Sequence, residues 1–342
     1  MITFLLRMKD SFLLPAVFFT LFTILLDGIN PVFSAENLPQ ELSFRSFETT
    51  RLKSTGGSGV ASILMDEASL LNPASVAFFQ ASSIYLQKSG GEFKTESGAP
   101  QSQVGQAALG DKLNSLALIA SDGNKRLSGS LSYIQQKEGD AQRRQYGLAS
   151  ASAIGPKTAL GFSTTYQKDE LPHRAMEKRW RFHLGILHAL SENFSVGLIA
   201  LDPWKKNAYL TQANLILGMQ YVYENSISFM LDVGSNFYQN LNDYLVTRGA
   251  IQLKVLKDLF LRVGAFDDRG KQERGNGIGI GWAGPKLVFE LGIKNTKIKR
   301  RGPIAGQAAM ASDAVLAHAE NGEVVSSSPT LHESSFSLAY HF

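Results

Sequence analysis

From residue 81 onward, apolar residues recur at every second position through segments of roughly ten residues, the length and period of membrane-crossing β-strands. In Trp180 to Ala189, Trp180, Phe182, Leu184 and Ile186 share one parity, and Arg181, His183 and Gly185 the other. Leu215, Leu217, Met219, Tyr221 and Tyr223 oppose Asn214, Gly218 and Gln220, while Ile227, Phe229, Leu231 and Val233 oppose Ser228, Asp232 and Gly234. Ile278, Ile280 and Trp282 alternate with Gly277, Gly279, Gly281 and Ala283; Leu287, Phe289, Leu291 and Ile293 alternate with Glu290, Gly292 and Lys294. The pattern predicts strands over 81–88, 114–121, 127–136, 143–154, 158–167, 179–190, 194–201, 210–223, 226–235, 244–255, 259–266, 276–283, 286–294 and 334–342. That is about fourteen, an even number, as single-chain bacterial barrels have.

A soluble sandwich alternates too, so the connections carry the distinction. Short turns fall at Asp122-Gly123-Asn124-Lys125, Gly155-Pro156-Lys157, Ser191-Glu192-Asn193, Glu224-Asn225, Lys257-Asp258 and Gly284-Pro285-Lys286. Between them lie longer polar stretches at 89–113, 137–142, 168–178, 202–209, 235–243, 267–275 and 295–333. Residues 103–109 are read as loop, since a further strand would break parity. Tight turns at one end and large loops at the other are the asymmetry of an outer-membrane barrel. The expected fold is therefore all-β: a transmembrane antiparallel β-barrel of about fourteen strands over 79–342.

If the greasy parity faces lipid, the other lines the lumen. It carries Arg181, His183, Gln220, Asp232, Arg248, Gln252, Lys254, Arg262, Glu290 and Lys294. A cation on the lipid face costs about 2–4 kcal/mol at the midplane, which decides against the inverse assignment. Asp232 and Glu290 are expected to pair with Arg248 or Arg262 across the interior. In the last strand Phe336, Leu338, Tyr340 and Phe342 form the greasy face, and the strand ends on an aromatic residue.

The N-terminal residues are of another kind. Residues 1–35 hold Arg7 and Lys9, an apolar run from Ser11 to Leu26, and Val32-Phe33-Ser34-Ala35, the layout of a secretory signal peptide. Residues 36–55 are polar and unpatterned. In the stretch from Gly56 to Ser75, Val60, Ile63, Leu64, Ala68 and Leu71 recur at helical spacing, and Pro73 follows Asn72 as a stop. A short amphipathic helix over 60–72 is expected. This phrase, with its glycine lead, the acidic pair Asp66-Glu67, Ala68-Ser69 and Asn72-Pro73-Ala74, resembles the stretch before the first strand in FadL/PorV-like outer-membrane barrels; Ser75 stands where many members have glycine.

The resemblance implies that residues 36–78 fold into the lumen as a plug shaped by Asn72, Pro73 and Ala74. It implies passive uptake of hydrophobic or amphipathic small molecules, such as long-chain fatty acids. Alternatively, it implies a PorV-like scaffold or shuttle that binds secreted proteins or lipid anchors without transport. It also implies that Phe336, Leu338, Tyr340 and Phe342 are the signal read by the barrel assembly machinery.

Composition narrows the function classes. The chain of 342 residues has 31 Gly, no Cys and a formal charge of +4, with 44% hydrophobic residues. Without cysteine there is no disulfide or thiolate site. The charge is too modest and too scattered for nucleic acid. The densest basic run, Lys294, Lys297, Lys299, Arg300 and Arg301, reads as a solvated loop able to meet lipopolysaccharide phosphates among outer-membrane lipid. Residues 305–319 are alanine-rich, and a short helix there is weighed against plain loop. No catalytic residue, metal site or cofactor is expected. There is no HExxH motif, and His183 and His188 fall on opposite strand faces. Gly275-Asn276-Gly277-Ile278-Gly279-Ile280-Gly281 alternates as a strand and opens no helix.

Overall fold

The structure, a computed structural model, describes residues 45–63, 68–79, 81–94, 112–123, 127–172, 175–204, 213–238, 241–298 and 330–342. The expected signal peptide, the segment 103–109, most of the basic run and the alanine-rich stretch lie outside the described residues.

Fourteen strands form: β1 (Ser83–Lys94), β2 (Lys112–Asp122), β3 (Ser128–Glu138), β4 (Ala141–Ala153), β5 (Thr158–Glu170), β6 (Glu177–Ala189), β7 (Phe194–Leu201), β8 (Leu215–Tyr223), β9 (Ile227–Ser235), β10 (Val246–Lys254), β11 (Leu259–Asp268), β12 (Glu273–Ala283), β13 (Leu287–Ile298) and β14 (Thr330–His341). Each pairs antiparallel with its sequence neighbours, and β1 closes on β14 through pairs such as Ile84 with Tyr340 and Leu86 with Leu338. Closure leaves no sheet edge, the one arrangement by which strands satisfy all their backbone groups in lipid. Every predicted strand is present.

The parity reading also holds. On β13 Phe289, Leu291 and Ile293 point outward and are exposed, while Glu290 retains 3% exposure and Lys294 6%. On β14 Phe336, Tyr340 and Phe342 face outward, while Ser337 and Ala339 are buried inside. Aromatic pairs strengthen the outer surface at both ends, Tyr166 with Trp180 at 4.9 Å and Trp282 with Phe289 at 5.8 Å. So broad an apolar exterior fits a hydrocarbon surround and not water.

The connections differ from expectation on one side. The stretch 137–142 is a tight hairpin at Gly139–Asp140, with Gly139 at φ 58°, and 267–275 shrinks to 269–272. Strands β3, β4, β11 and β12 run on past the apolar belt instead. Beyond the belt both faces can be polar, so ladder bonding continues without alternation, as in Lys137 paired with Gln142. The opposite end keeps its short turns; Glu224 and Asn225 both take positive φ as the central residues of the turn that Ser226 N–H closes on the Tyr223 carbonyl at 3.0 Å.

Candidate functional site

Residues 45–63 and 68–79 lie in the barrel interior. Helix α1 (Thr50–Ser54) opens with Thr49, whose side chain accepts from the Leu52 N–H at 3.2 Å. The chain then turns through Gly56 and Gly57, both at positive φ, and continues to Ser62 without helix. Helix α2 (Ala68–Leu71) is a single turn, and a 3-10 helix follows at Pro73–Phe78.

The expected helix over 60–72 is thus wrong for 60–63, and a helix sits in the stretch read as unpatterned. The reason lies across the lumen. The N–H groups of Gly59 and Val60 donate to Asp232 Oδ2 of β9 at 2.8 and 3.2 Å, so their partners come from the wall. Val60 and Leu71 pack on the same apolar cluster from β7, β8 and β10, and their spacing records that shared wall rather than a helical face. The helix at Ala68–Leu71 does end before Asn72 and Pro73, and Pro73 also starts a 3-10 helix: Asn72 caps it, accepting from Ala74 N–H at 3.1 Å.

Two walls hold this segment by different means. Toward β11–β14 the contacts are ionic. Glu290 lies 2.9 Å from Arg262 and 3.2 Å from Arg51 of α1. Lys53 pairs with Glu333, Arg45 with Glu273 at 2.9 Å, and Lys294 with Glu48 at 2.6 Å. Burial would raise the Glu48 carboxyl, but Lys294, with Lys53 and Arg248 nearby, brings it from its ordinary 4.5 down to about 2. Gln87 of β1 accepts from Thr50 N–H at 2.8 Å and donates to the Glu48 carbonyl at 3.0 Å. The glycine run of β12 now has its explanation. A Cβ on Gly277 would strike the Lys53 carbonyl, so its missing side chain lets α1 lie against the sheet.

Toward β4–β8 the contacts are close backbone packing and neutral hydrogen bonds. A Cβ on Gly161 of β5 would strike the Pro73–Ala74 peptide. Asn72 Nδ2 donates to the Val60 carbonyl at 2.8 Å and to the Ile186 carbonyl of β6 at 3.3 Å, and Ser195 of β7 donates to the Ala61 carbonyl at 2.8 Å. Asn72, Pro73 and Ala74 therefore meet the wall directly.

The predicted lumenal residues all lie on inward parity. Arg262 and Glu290 pair. Asp232 and Arg248 are cross-strand partners in register, yet each also turns to the inner segment, Arg248 donating to the Gly57 carbonyl at 3.1 Å. Arg262 also donates to Gln252 at 2.7 Å, and the Lys254 ammonium stands 5.9 Å from the Phe260 ring. Arg181 sits 3.6 Å from Asp202, and the buried Gln220 Oε1 has no hydrogen-bond partner among the described residues. Lys294 belongs to this interior network rather than to a solvated loop. Sequence reasoning missed Arg45, Glu48, Arg51 and Lys53. The one available signal was their charge, which the inward acids and bases of β12–β14 needed as complement.

Between the inner segment and the wall, chiefly β3–β8 and β10, remains a cavity of about 150 Å³. On one side Leu71, Ile199, Leu201, Ala213, Ile216 and Val246 border it; on the other are hydroxyls and amides of β3–β6, with Arg181 and His183. The arrangement can hold a small amphipathic molecule. Among the described residues no three His, Asp or Glu side chains group as metal ligands.

No protein-family model and no curated protein matches the chain. Solved structures do match in fold. The CymD monoaromatic hydrocarbon channel is 11% identical over 86% of this chain and 97% of its own, with a TM-score of 0.59. The Ralstonia pickettii toluene transporter TbuX is 9% identical over 87% of this chain and 99% of its own, with a TM-score of 0.60. A Pseudomonas aeruginosa FadL homologue is 11% identical over 86% and 97%, with a TM-score of 0.50. The barrel thus has the FadL-like fold that the Asn72-Pro73-Ala74 phrase suggested.

Proposed function

We propose that this chain is a channel of the outer membrane for passive entry of hydrophobic or amphipathic small molecules, with residues 45–79 as its plug. The observation that carries this reading is the cavity between plug and wall, aliphatic along β7 and β8 and polar along β3–β6. A barrel whose lumen served only as filler would close it, since each void forfeits packing energy. The fold shared with barrels named as hydrocarbon and toluene channels agrees with this reading.

No enzymatic step is needed. The solute leaves the outer side, rests in the cavity, and moves on when the plug shifts. The neutral contacts to β4–β8 are the easier to give up, because the ionic ones leave buried charges behind. A cavity of about 150 Å³ suits a ring-sized solute, being about the size that holds benzene, so a long-chain fatty acid enters only with a larger plug displacement.

The test is uptake of labelled toluene, benzyl alcohol and oleate by lipopolysaccharide-containing proteoliposomes. Influx of at least one above protein-free vesicles is expected. Influx of none would overturn the channel reading and favour the scaffold alternative.

A further inference from the structure

The inner face of β3–β6 forms a polar recess of a kind that a pure hydrocarbon does not need. Ser132 of β3, Gly147 of β4, Thr165 of β5 and Arg181 of β6 are successive partners in one row across the sheet. The row beneath contains Ala149, Ser163 and His183. Gly147 makes the recess: a Cβ there would run into the Ser132 hydroxyl and would lie 3.6 Å from Thr165 Oγ1. Gln145 closes it above, donating to Gln167 behind it at 3.0 Å, and all of these residues except Gln167 border the cavity.

The hydroxyls are available. Ser163 retains 5% exposure and borders the cavity, yet it has no hydrogen bond among the described residues; nor do Ser132 and Thr165. Of the three, Ser163 is buried and Ser132 and Thr165 are half-buried at the cavity; a buried hydroxyl is normally satisfied, so the unmet Ser163 with its two neighbours points to a ligand that meets them. His183 Nε2 is likewise buried without a partner among the described residues.

Charge decides what kind of polar group fits. Arg181 faces Asp202, Lys271 lies 4.0 Å from Asp268, and Glu48 is held by Lys294. Arg248 stands opposite Asp232. Each cation bordering the cavity thus faces an acid, Arg248 by register and the others by ion pair, so a carboxylate would be desolvated there for little gain. Beside the recess, on the adjoining β7 and β8, the same face of the sheet becomes the aliphatic wall of Ile199, Leu201 and Ile216, with Leu201 paired to His183.

Building on the channel reading, we propose that this recess is a selectivity site for uncharged, ring-sized molecules bearing a hydroxyl group, of the phenol or benzyl alcohol kind. The hydroxyl is held by Ser132, Ser163 and Thr165, and the ring lies on the aliphatic wall.

Binding of phenol, toluene and benzoate to the full-length barrel in nanodiscs, corrected for uptake by protein-free discs, tests this. Phenol is expected to bind about tenfold tighter than toluene, the worth of about one hydrogen bond. S163A/T165V should remove that preference, and S132A, which adds no bulk, serves if the double variant does not fold. Toluene binding as tightly as phenol, or benzoate binding tighter than either, would overturn the selectivity site and leave the channel standing. Binding of none of the three, together with absent uptake of toluene, benzyl alcohol and oleate, would remove both. A phenol preference that survives S132A and S163A/T165V would place the recognition elsewhere and also overturn the proposal.

Discussion

Lys294 donates to both carboxylate oxygens of Glu48, at 2.7 and 2.6 Å, and so ties β13 to the chain just before α1. The ammonium also lies 4.2 Å from the centre of the Phe266 ring, which shields the pair on one side. The bond links a residue of the inner segment to a wall residue far away in sequence, and the carboxylate is acidic enough to give it a pH signature.

Because the Glu48 carboxyl falls from 4.5 to about 2 in the folded protein, its contribution is fully present above about pH 4.5 and is lost as pH falls through about 2. Hydrogen exchange of residues 45–58 should rise over that window while the strand amides stay protected. E48Q should raise exchange already at pH 7, by about 1.5–3 kcal/mol of lost docking energy, and flatten the acid limb.

Glu290 serves two cations, Arg51 and Arg262, so E290Q strands both in a buried setting. A loss of about 3–5 kcal/mol is expected, read as a lower temperature of heat-modified gel migration. Replacing Arg262 by Met in the same chain should recover part of it, because a buried charge is removed with its partner.

Asn72 both caps the 3-10 helix and fastens it to β6. N72D keeps the acceptor that caps Ala74 but loses the donors to Val60 and Ile186. N72A should loosen residues 72–78 by about 0.5–2 kcal/mol through the cap alone. N72D should leave the Ala74 amide slow to exchange while speeding solute influx.

Gly277 has no room for a side chain beneath Lys53. G277V should leave the barrel folded and heat-modifiable but push α1 off β12, making 45–58 sensitive to added protease. Protease resistance equal to that of the parent would contradict the packing described.

The last residue lies at the closing seam. Phe342 N–H donates to the Ser82 carbonyl at 3.0 Å, and its ring stacks on Tyr340 at 6.2 Å while facing outward. Deleting Phe342 should lower the yield of assembled barrel several-fold and leave influx per assembled barrel unchanged. A fall in influx per barrel with normal yield would argue against an assembly role.

Much of the wall was legible in the sequence, and little of what it encloses. Phe289, Glu290 and Leu291 announce their faces through parity, because lipid outside and polar groups inside impose opposite chemistry on neighbouring residues. Arg262 and Glu290 could be matched as a pair once both were known to point inward. Arg51 could not be added to them, since nothing local marks it. The helix drawn over 60–72 failed at 60–63, where the Gly59 and Val60 N–H groups turn to Asp232 of the wall, and Val60 and Leu71 share an apolar cluster without sharing one helix face there.

The sequence by itself determined fourteen strands, their order, and which side chains meet lipid, because a strand's period and its surrounding solvent act residue by residue. Only the tertiary structure decided how residues 45–63 and 68–79 lie in the lumen, which wall holds them by charge and which by packing, and where space remains. Those choices rest on contacts between residues such as Arg51 and Glu290, 239 positions apart, or Lys53 and Glu333, 280 apart. Such pairs take their energy from low-dielectric surroundings that exist only once the barrel has closed around them.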